Sequence, residues 1–193
     1  MKSITVFCGS SEGNDKKVLE QAYALGKFLA SQKIKLVYGA AHIGVMGQVA
    51  TGALDHGGTV IGVIPDFLKV KEVCHTGLTD LIVTKTMHER KLIMHELSDG
   101  VITLPGGFGT LEELFEMITW AQLGLHRKPV GILNTSGFYD ELISMLKKMV
   151  ASELLKPQNF EMLLVSGEIN TLWDKMLSYK PLQVPKWINK QQT

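Results

Sequence analysis

Only two cysteines, Cys8 and Cys74, occur in 193 residues, and neither belongs to a CxxC pattern. Both are expected to be small fillers in a reducing compartment, without a disulfide. The six histidines show no H-E-x-x-H or other ligand spacing, so no metal site is expected. Apolar runs stay well short of the ~18 residues of a membrane span, and Gly9 interrupts the opening stretch too soon for a signal peptide. The expected location is the cytoplasm, with no membrane partner. Twenty basic and nineteen acidic side chains give a net charge of +1, and like charges do not run beyond two in a row. That balance carries no nucleic-acid footprint. Three nucleotide and hydrolase signatures are also missing. The first turn, Gly9-Ser10-Ser11-Glu12-Gly13, lacks the G-x-G-x-x-G spacing, and Tyr38-Gly39 stands where a dinucleotide-binding fold needs an acid. No Gly-Lys-Ser/Thr marks a P-loop, and no G-x-S-x-G marks a serine nucleophile.

What is present centres on Leu104-Pro105-Gly106-Gly107-Phe108-Gly109-Thr110-Leu111-Glu112-Glu113. Pro105 ends the apolar run Gly100 to Leu104 by removing a ladder donor, and three glycines let the backbone approach a ligand closely. Apolar residues at Leu111, Leu114, Phe115, Ile118 and Ala121 then follow helical spacing. The turn therefore opens into a helix N-terminus, where free amides and the helix dipole favour a phosphate. Thr110-x-x-Glu113 also fits a capping box, in which the two residues satisfy each other's amides. A cap needs no three glycines, so the balance favours a ligand turn.

The remaining chain alternates strand and helix patterns. Strands are expected at Ile4 to Cys8, Lys35 to Tyr38, Thr59 to Ile64, Leu81 to Thr84, Gly100 to Leu104, Val130 to Leu133 and Phe160 to Val165. Helices are expected at Val18 to Gln32, through Val49 to Leu54, at Met87 to Leu97, after the central turn, at Tyr139 to Met149 and at Ile169 to Leu177. Asp66 to Thr79, with Glu72 and His75, reads as a surface loop of functional length, and 180–193 as an extended tail. The alternation predicts a single α/β domain over 1–193, a Rossmann-like parallel sheet with helices on both faces. Ligands of such sheets lie at the carboxyl ends of the strands, so the glycine-rich turns at 9–13, 39–47 and 105–109 can converge on one crevice. Glu89-Arg90-Lys91 at a helix start reads by default as a solvated charged face.

These residues resemble a known family. Pro105-Gly106-Gly107-Phe108-Gly109-Thr110-Leu111-Glu112-Glu113 is similar to the P-G-G-x-G-T-x-x-E signature of the LOG (Lonely Guy) family, the cytokinin riboside 5′-monophosphate phosphoribohydrolases. Met87-His88-Glu89-Arg90-Lys91 resembles its second signature and Cys8-Gly9-Ser10-Ser11 its opening turn. The resemblance spans about residues 3 to 180. It implies a cofactor-free homodimer that hydrolyses the N-glycosidic bond of an adenine-type nucleoside 5′-monophosphate, giving free base and ribose 5-phosphate. The catalytic pair carries over to Arg90 and Glu113. Nucleotide contacts carry over to Glu72, Arg90, Lys91, Gly107, Phe108, Gly109, Thr110, Leu111, Glu112, Glu113 and, by position, Thr119. One departure is Gly39-Ala40-Ala41 where the family commonly reads three glycines. Either those positions are extended or that turn is less open to ligand. The lysine decarboxylase label often given to this family finds no pyridoxal phosphate site or Schiff-base lysine here.

Breaking a glycosidic bond builds an oxocarbenium-like ribose and negative charge on the departing base. Glu113 is expected to stabilise the cation or activate water, and Arg90 to position the nucleotide or stabilise the developing anion. A carboxylate at a helix start is expected to be ionised, which suits a base or electrostatic role. A non-catalytic nucleotide-binding module is the alternative, but it would need the glycines and not this acid and arginine. Met117, Trp120 and Leu123 fall outside the core stripe of their helix, so a homodimer interface is expected to include Met117 and Trp120.

Overall fold

The computed structural model describes residues 1–69 and 74–182. Seven strands form one parallel sheet in the order β4-β3-β2-β1-β5-β6-β7. They are β1 (Ser3–Phe7), β2 (Lys35–Tyr38), β3 (Val60–Pro65), β4 (Asp80–Thr84), β5 (Gly100–Thr103), β6 (Val130–Leu133) and β7 (Leu163–Ser166). The chain winds outward from β1 to β4, then returns to the other side of β1 as β5. Phe7 pairs with Thr103, which sets the carboxyl ends of β1 and β5 side by side at the point where the winding reverses. Open α/β sheets bind their ligands at such a point.

Helices cover both faces. One face of the sheet, with Ile4, Val6, Leu36, Tyr38 and Ile102, packs under α1 (Lys16–Ser31), α2 (Gly44–Leu54) and α7 (Ile169–Ser178). The other, with Phe7, Val37, Val63, Val101 and Ile132, packs under α3 (Met87–Leu97), α4 (Phe108–Gln122) and α5 (Asp140–Ala151). The split follows the period of two along each strand, with Ile4 and Val6 on one side and Thr5 and Phe7 on the other. Helices α1 and α2 touch backbone to backbone. A Cβ on Gly26 would lie 2.0 Å from the Val49 carbonyl, and one on Gly52 would lie 2.1 Å from that of Tyr23.

Strand and helix placement follow the sequence pattern, with local exceptions. The expected last strand from Phe160 starts later, because Pro157 opens a short helix, α6 (Pro157–Phe160), where its missing N–H costs nothing. Helix α1 begins two residues before Val18, since the Asp15 carboxylate caps the Lys17 amide at 2.9 Å. Met117, expected to face a partner, is 3% exposed and belongs to the chain's own core. It falls on the buried face of α4 with Thr110, Glu113, Leu114 and Ala121. Of the expected tail, 183–193 lies outside the described residues. No helix among the described residues is long and apolar enough to cross a membrane.

Candidate active site

The turns after β1 and β5 are joined directly. The Gly9 amide donates to the Pro105 carbonyl at 3.1 Å. Gly106 makes this possible, because a Cβ there would lie 2.8 Å from the Gly9 nitrogen and 2.1 Å from Thr110 Oγ1. Beside this junction opens a cavity of about 560 Å³, walled by 8–15 on one side and by Gly106, Gly107, Gly109 and Thr110 on the other. Arg90, Glu112 and Glu113 also line it.

The first four helices all begin at this edge, and their N-termini differ in what satisfies them. Helix α1 has Asp15. Helix α3 has Thr86, whose Oγ1 accepts from the Glu89 amide at 3.1 Å, while the Glu89 carboxylate reaches past the cap to accept from the Lys85 amide at 2.7 Å. At α2 the Met46 amide donates to Gly9 O at 3.1 Å and the Val45 amide to Ser11 O at 3.3 Å. Helix α4 starts from Gly107 in extended conformation, without a side-chain cap. The capping box weighed as the alternative at Thr110 and Glu113 therefore does not form, since Thr110 already lies inside the helix and Glu113 a full turn further in. A Cβ on Gly107 or Gly109 would meet nothing within 4 Å, so this end opens into the cavity. The first amides of α4 have no acceptor in the helix, and the dipole adds positive potential. That is the arrangement expected of a phosphate cradle.

Glu113 projects from the second turn of α4 and is 6% exposed; Arg90 comes from α3 and is 5% exposed. Arg90 Nη1 lies 3.6 Å from Glu113 Oε1, and Arg90 Nε donates to the Val63 carbonyl of β3 at 3.0 Å. Arg90 is thus no solvated surface charge. Burial pushes the Glu113 carboxyl up to about 7; Arg90 opposes this, and the neighbouring Glu112 adds to it. The expectation of a plainly ionised carboxylate is corrected here, because desolvation outweighs the guanidinium. Both protonation states are accessible near neutral pH. Cys8 lies in the same floor, and burial raises its thiol far above the ordinary value, so it stays neutral.

The other expected site residues divide. Lys91 is 8% exposed and clamped between Glu112 at 2.5 Å and Glu116 at 2.9 Å, bracing α3 against α4. Burial alone would lower its pKa, but the hydrogen bonds to Glu112 and Glu116 outweigh this and raise it. Phe108 presents its side chain to solvent at 94% exposure. Leu111 packs into the core below α4, and Thr119 is exposed further along that helix. None of these four side chains lines the cavity. Glu72 lies outside the described residues. The sequence reading missed Asp15, Met46, Leu68, Met87 and Phe138, all of which line the cavity. Phe138 was within reach of the rule that strand carboxyl ends line the crevice, since it follows β6.

Fold and pocket define a Rossmann-like α/β enzyme with its crevice at the reversal of strand order. The family described as "Possible lysine decarboxylase" matches residues 46–176. The chain is 45% identical over 169 residues to the cytokinin riboside 5′-monophosphate phosphoribohydrolase of Rhodococcoides fascians, covering 87% of this chain and 85% of that protein. It is 43% identical over 180 residues to one of the same name in Arabidopsis thaliana, covering 93% and 84%. The molybdenum cofactor binding protein of Rippkaea orientalis superposes with a TM-score of 0.68 at 24% identity, covering 92% of this chain and 97% of that one. DNA processing protein A of Helicobacter pylori does so with a TM-score of 0.56 at 19% identity, covering 91% and 80%. Those two likenesses are of fold. The chain belongs to the LOG family of phosphoribohydrolases, hydrolases of a glycosidic bond. Among the described residues no lysine lines the cavity.

Proposed function

We propose that the protein hydrolyses the N-glycosidic bond of adenine-type nucleoside 5′-monophosphates, with cytokinin riboside monophosphates and AMP as the substrate class. The observation that carries this reading is a buried Arg90–Glu113 pair in the same cavity as an uncapped helix N-terminus. A binding module of the same fold would need the cradle alone. An acid and an arginine held out of water at 3.6 Å serve charge that changes during a reaction.

The α4 amides hold the 5′-phosphate. With the phosphate fixed, ionised Glu113 stabilises the oxocarbenium-like ribose and takes a proton from the attacking water as it adds to C1′. The glycosidic electron pair leaves with the base. Arg90 orients Glu113 and offsets the negative charge that develops across the site. Lys91, held by Glu112 and Glu116, fixes the α3–α4 geometry on which both depend. No cofactor takes part in this scheme. A cytoplasmic place of action fits two free thiols.

The protein acts as a homodimer. Trp120 is half-buried and borders a groove between α3 and α4 with Leu92, His95, Glu116 and Leu125. Leu92 is 42% exposed. With Met117 inside the core, the interface is drawn through Trp120 and Leu92, and Trp120→Glu should sediment as a monomer. The reaction itself is tested by incubating purified protein with a panel of nucleosides and nucleoside 5′-monophosphates and following free base by chromatography. Base release from monophosphates is expected, and release from none of them would overturn the reading.

A further inference from the structure

Arg90 is held from three sides. Its Nε donates to Val63 O at 3.0 Å, Nη1 faces Glu113 at 3.6 Å, and Met87 Sδ lies 4.0 Å from Nη1. The fourth side is an empty position. A Cβ on Gly39 would fall 2.3 Å from Arg90 Nη2, 2.9 Å from Met46 Sδ and 3.2 Å from Met46 Cε. Carbon and its non-bonded neighbours settle about 3.5–4.0 Å apart, so the guanidinium and a side chain at 39 cannot share this space.

The two usual reasons for a glycine do not apply at position 39. Its φ is not positive; the left-handed conformation falls one residue later, on Ala40 at φ 68°. Nor does another backbone cross it. At Gly26, Gly47 and Gly52 an added Cβ would strike a carbonyl oxygen at 2.0–2.1 Å, whereas at Gly39 it would meet the tips of two flexible side chains. The sequence puts alanine where conformation favours glycine, and glycine where conformation allows alanine. We infer that Gly39 is a positioning residue, whose missing side chain is the seat of the Arg90 guanidinium.

A methyl group at position 39 would displace Arg90 at little cost to the backbone. The groups facing Glu113 are Arg90 and Lys91 from α3, Glu112 and Glu116 from α4, and the Cys8 thiol beyond β1. Moving the guanidinium away removes a cation that holds the Glu113 pKa down, so the ionised form would be reached at higher pH. A glycine needed for the fold alone would not alter that titration.

The effect on turnover rests on the proposed hydrolysis, while the seat itself can be tested without it. Gly39→Ala is expected to melt within a few degrees of wild type and to lose kcat roughly 10²-fold, as about an ångström of misplacement costs. Its pH–rate limb should move to higher pH, and the ¹⁵Nε resonance of Arg90 should shift. In an Arg90→Ala background, adding Gly39→Ala should change neither melting temperature nor residual rate. If Gly39→Ala alone does not fold, recovery of folding by Arg90→Ala supports the seat, and failure to recover overturns it. Wild-type kcat, pH limb and Arg90 resonance in Gly39→Ala would also overturn it. So would an equal loss of melting temperature in both backgrounds. If wild type releases no base from any nucleotide, the proposed function falls, and the resonance and melting comparison still decides the seat.

Discussion

Helices α2 and α4 both begin after a glycine-containing turn at the carboxyl edge of the sheet, and neither has a side-chain cap. Their N-termini nevertheless differ in use. Carbonyls of Gly9 and Ser11 have taken the Met46 and Val45 amides of α2, because α2 is drawn against the first turn by its close packing on α1. The α4 terminus has Gly9 at its back, bonded to Pro105, and faces the cavity. A glycine-rich strand-to-helix turn is therefore not an anion site by itself. What decides is whether neighbouring carbonyls have already accepted its amides.

If α4 carries the reaction, the largest effect should come from the carboxylate one turn inside it. Glu113→Gln keeps the shape and removes the charge, so base release should fall roughly 10²–10⁴-fold while nucleotide binding persists. Chromatographic rates with titration calorimetry of the nucleotide check both halves. Turnover near the wild-type rate would reduce the pair to a structural contact.

The next effect belongs to the phosphate. Each charge-assisted hydrogen bond contributes ~1.5–3 kcal/mol, so a nucleoside lacking the phosphate should lose at least about 10²-fold in kcat/KM. The converse is to fill the cradle from the protein side. Gly107 is extended and a Cβ there meets nothing within 4 Å, so Gly107→Asp can place a carboxylate over the α4 amides. It should raise the melting temperature slightly and weaken nucleotide binding sharply. Unchanged binding in Gly107→Asp would move the phosphate elsewhere.

A third effect is read in stability. The Glu113 carboxyl titrates near 4.5 when unfolded and at about 7 in the fold, so the native state holds the extra proton between those values. The contribution is fully present below about pH 4.5 and is lost as pH rises through about 7. At 1.36 kcal/mol per unit it amounts to about 3 kcal/mol. Between pH 5 and pH 8 wild type should lose stability relative to Glu113→Gln by most of that amount, measured by denaturant unfolding. Parallel curves would place Glu113 in a more hydrated setting.

The strand–helix alternation and the glycine-rich turns at the strand ends were legible, because apolar periodicity and glycine spacing are local signals. The Arg90–Glu113 pair came from the family resemblance alone, since Glu89-Arg90-Lys91 by itself reads as a solvated face. The caps were not. Thr86-x-x-Glu89 and Thr110-x-x-Glu113 are the same pattern, and only the first caps its helix, because Thr86 is the residue at which α3 begins. Gly107 starts α4 three residues before Thr110, which carries Glu113 inward to Arg90. Met117 was misplaced for a related reason. The buried stripe of α4 runs Thr110, Glu113, Leu114, Met117 and Ala121, and Met117 packs with Leu114 against the sheet. Two polar members, Thr110 and Glu113, hide the phase of that stripe from a count of apolar residues.

The smallest effect tests the closed side of the comparison. Ala40 is fully buried at φ 68°, its carbonyl accepts from the His75 amide at 3.0 Å, and Ala41 bridges Cys74. Ala40 and Ala41 thus anchor the loop after β3 and lie outside the cavity wall, which this turn joins only at Val45 and Met46. Replacing Ala40 with glycine relieves about 1–2 kcal/mol of left-handed strain. Against that stand about 0.8 kcal/mol for the buried methyl and ~0.4–1 kcal/mol for the freer unfolded chain. The terms nearly cancel, so Ala40→Gly should change the unfolding free energy by no more than about 1 kcal/mol in either direction. Nucleotide affinity and kcat should match wild type, because the amides that follow this turn are already bonded to Gly9 and Ser11. Tighter nucleotide binding in Ala40→Gly, read by calorimetry, would show that the α2 terminus opens to ligand when its turn is relaxed, and the difference between the two helix ends would disappear.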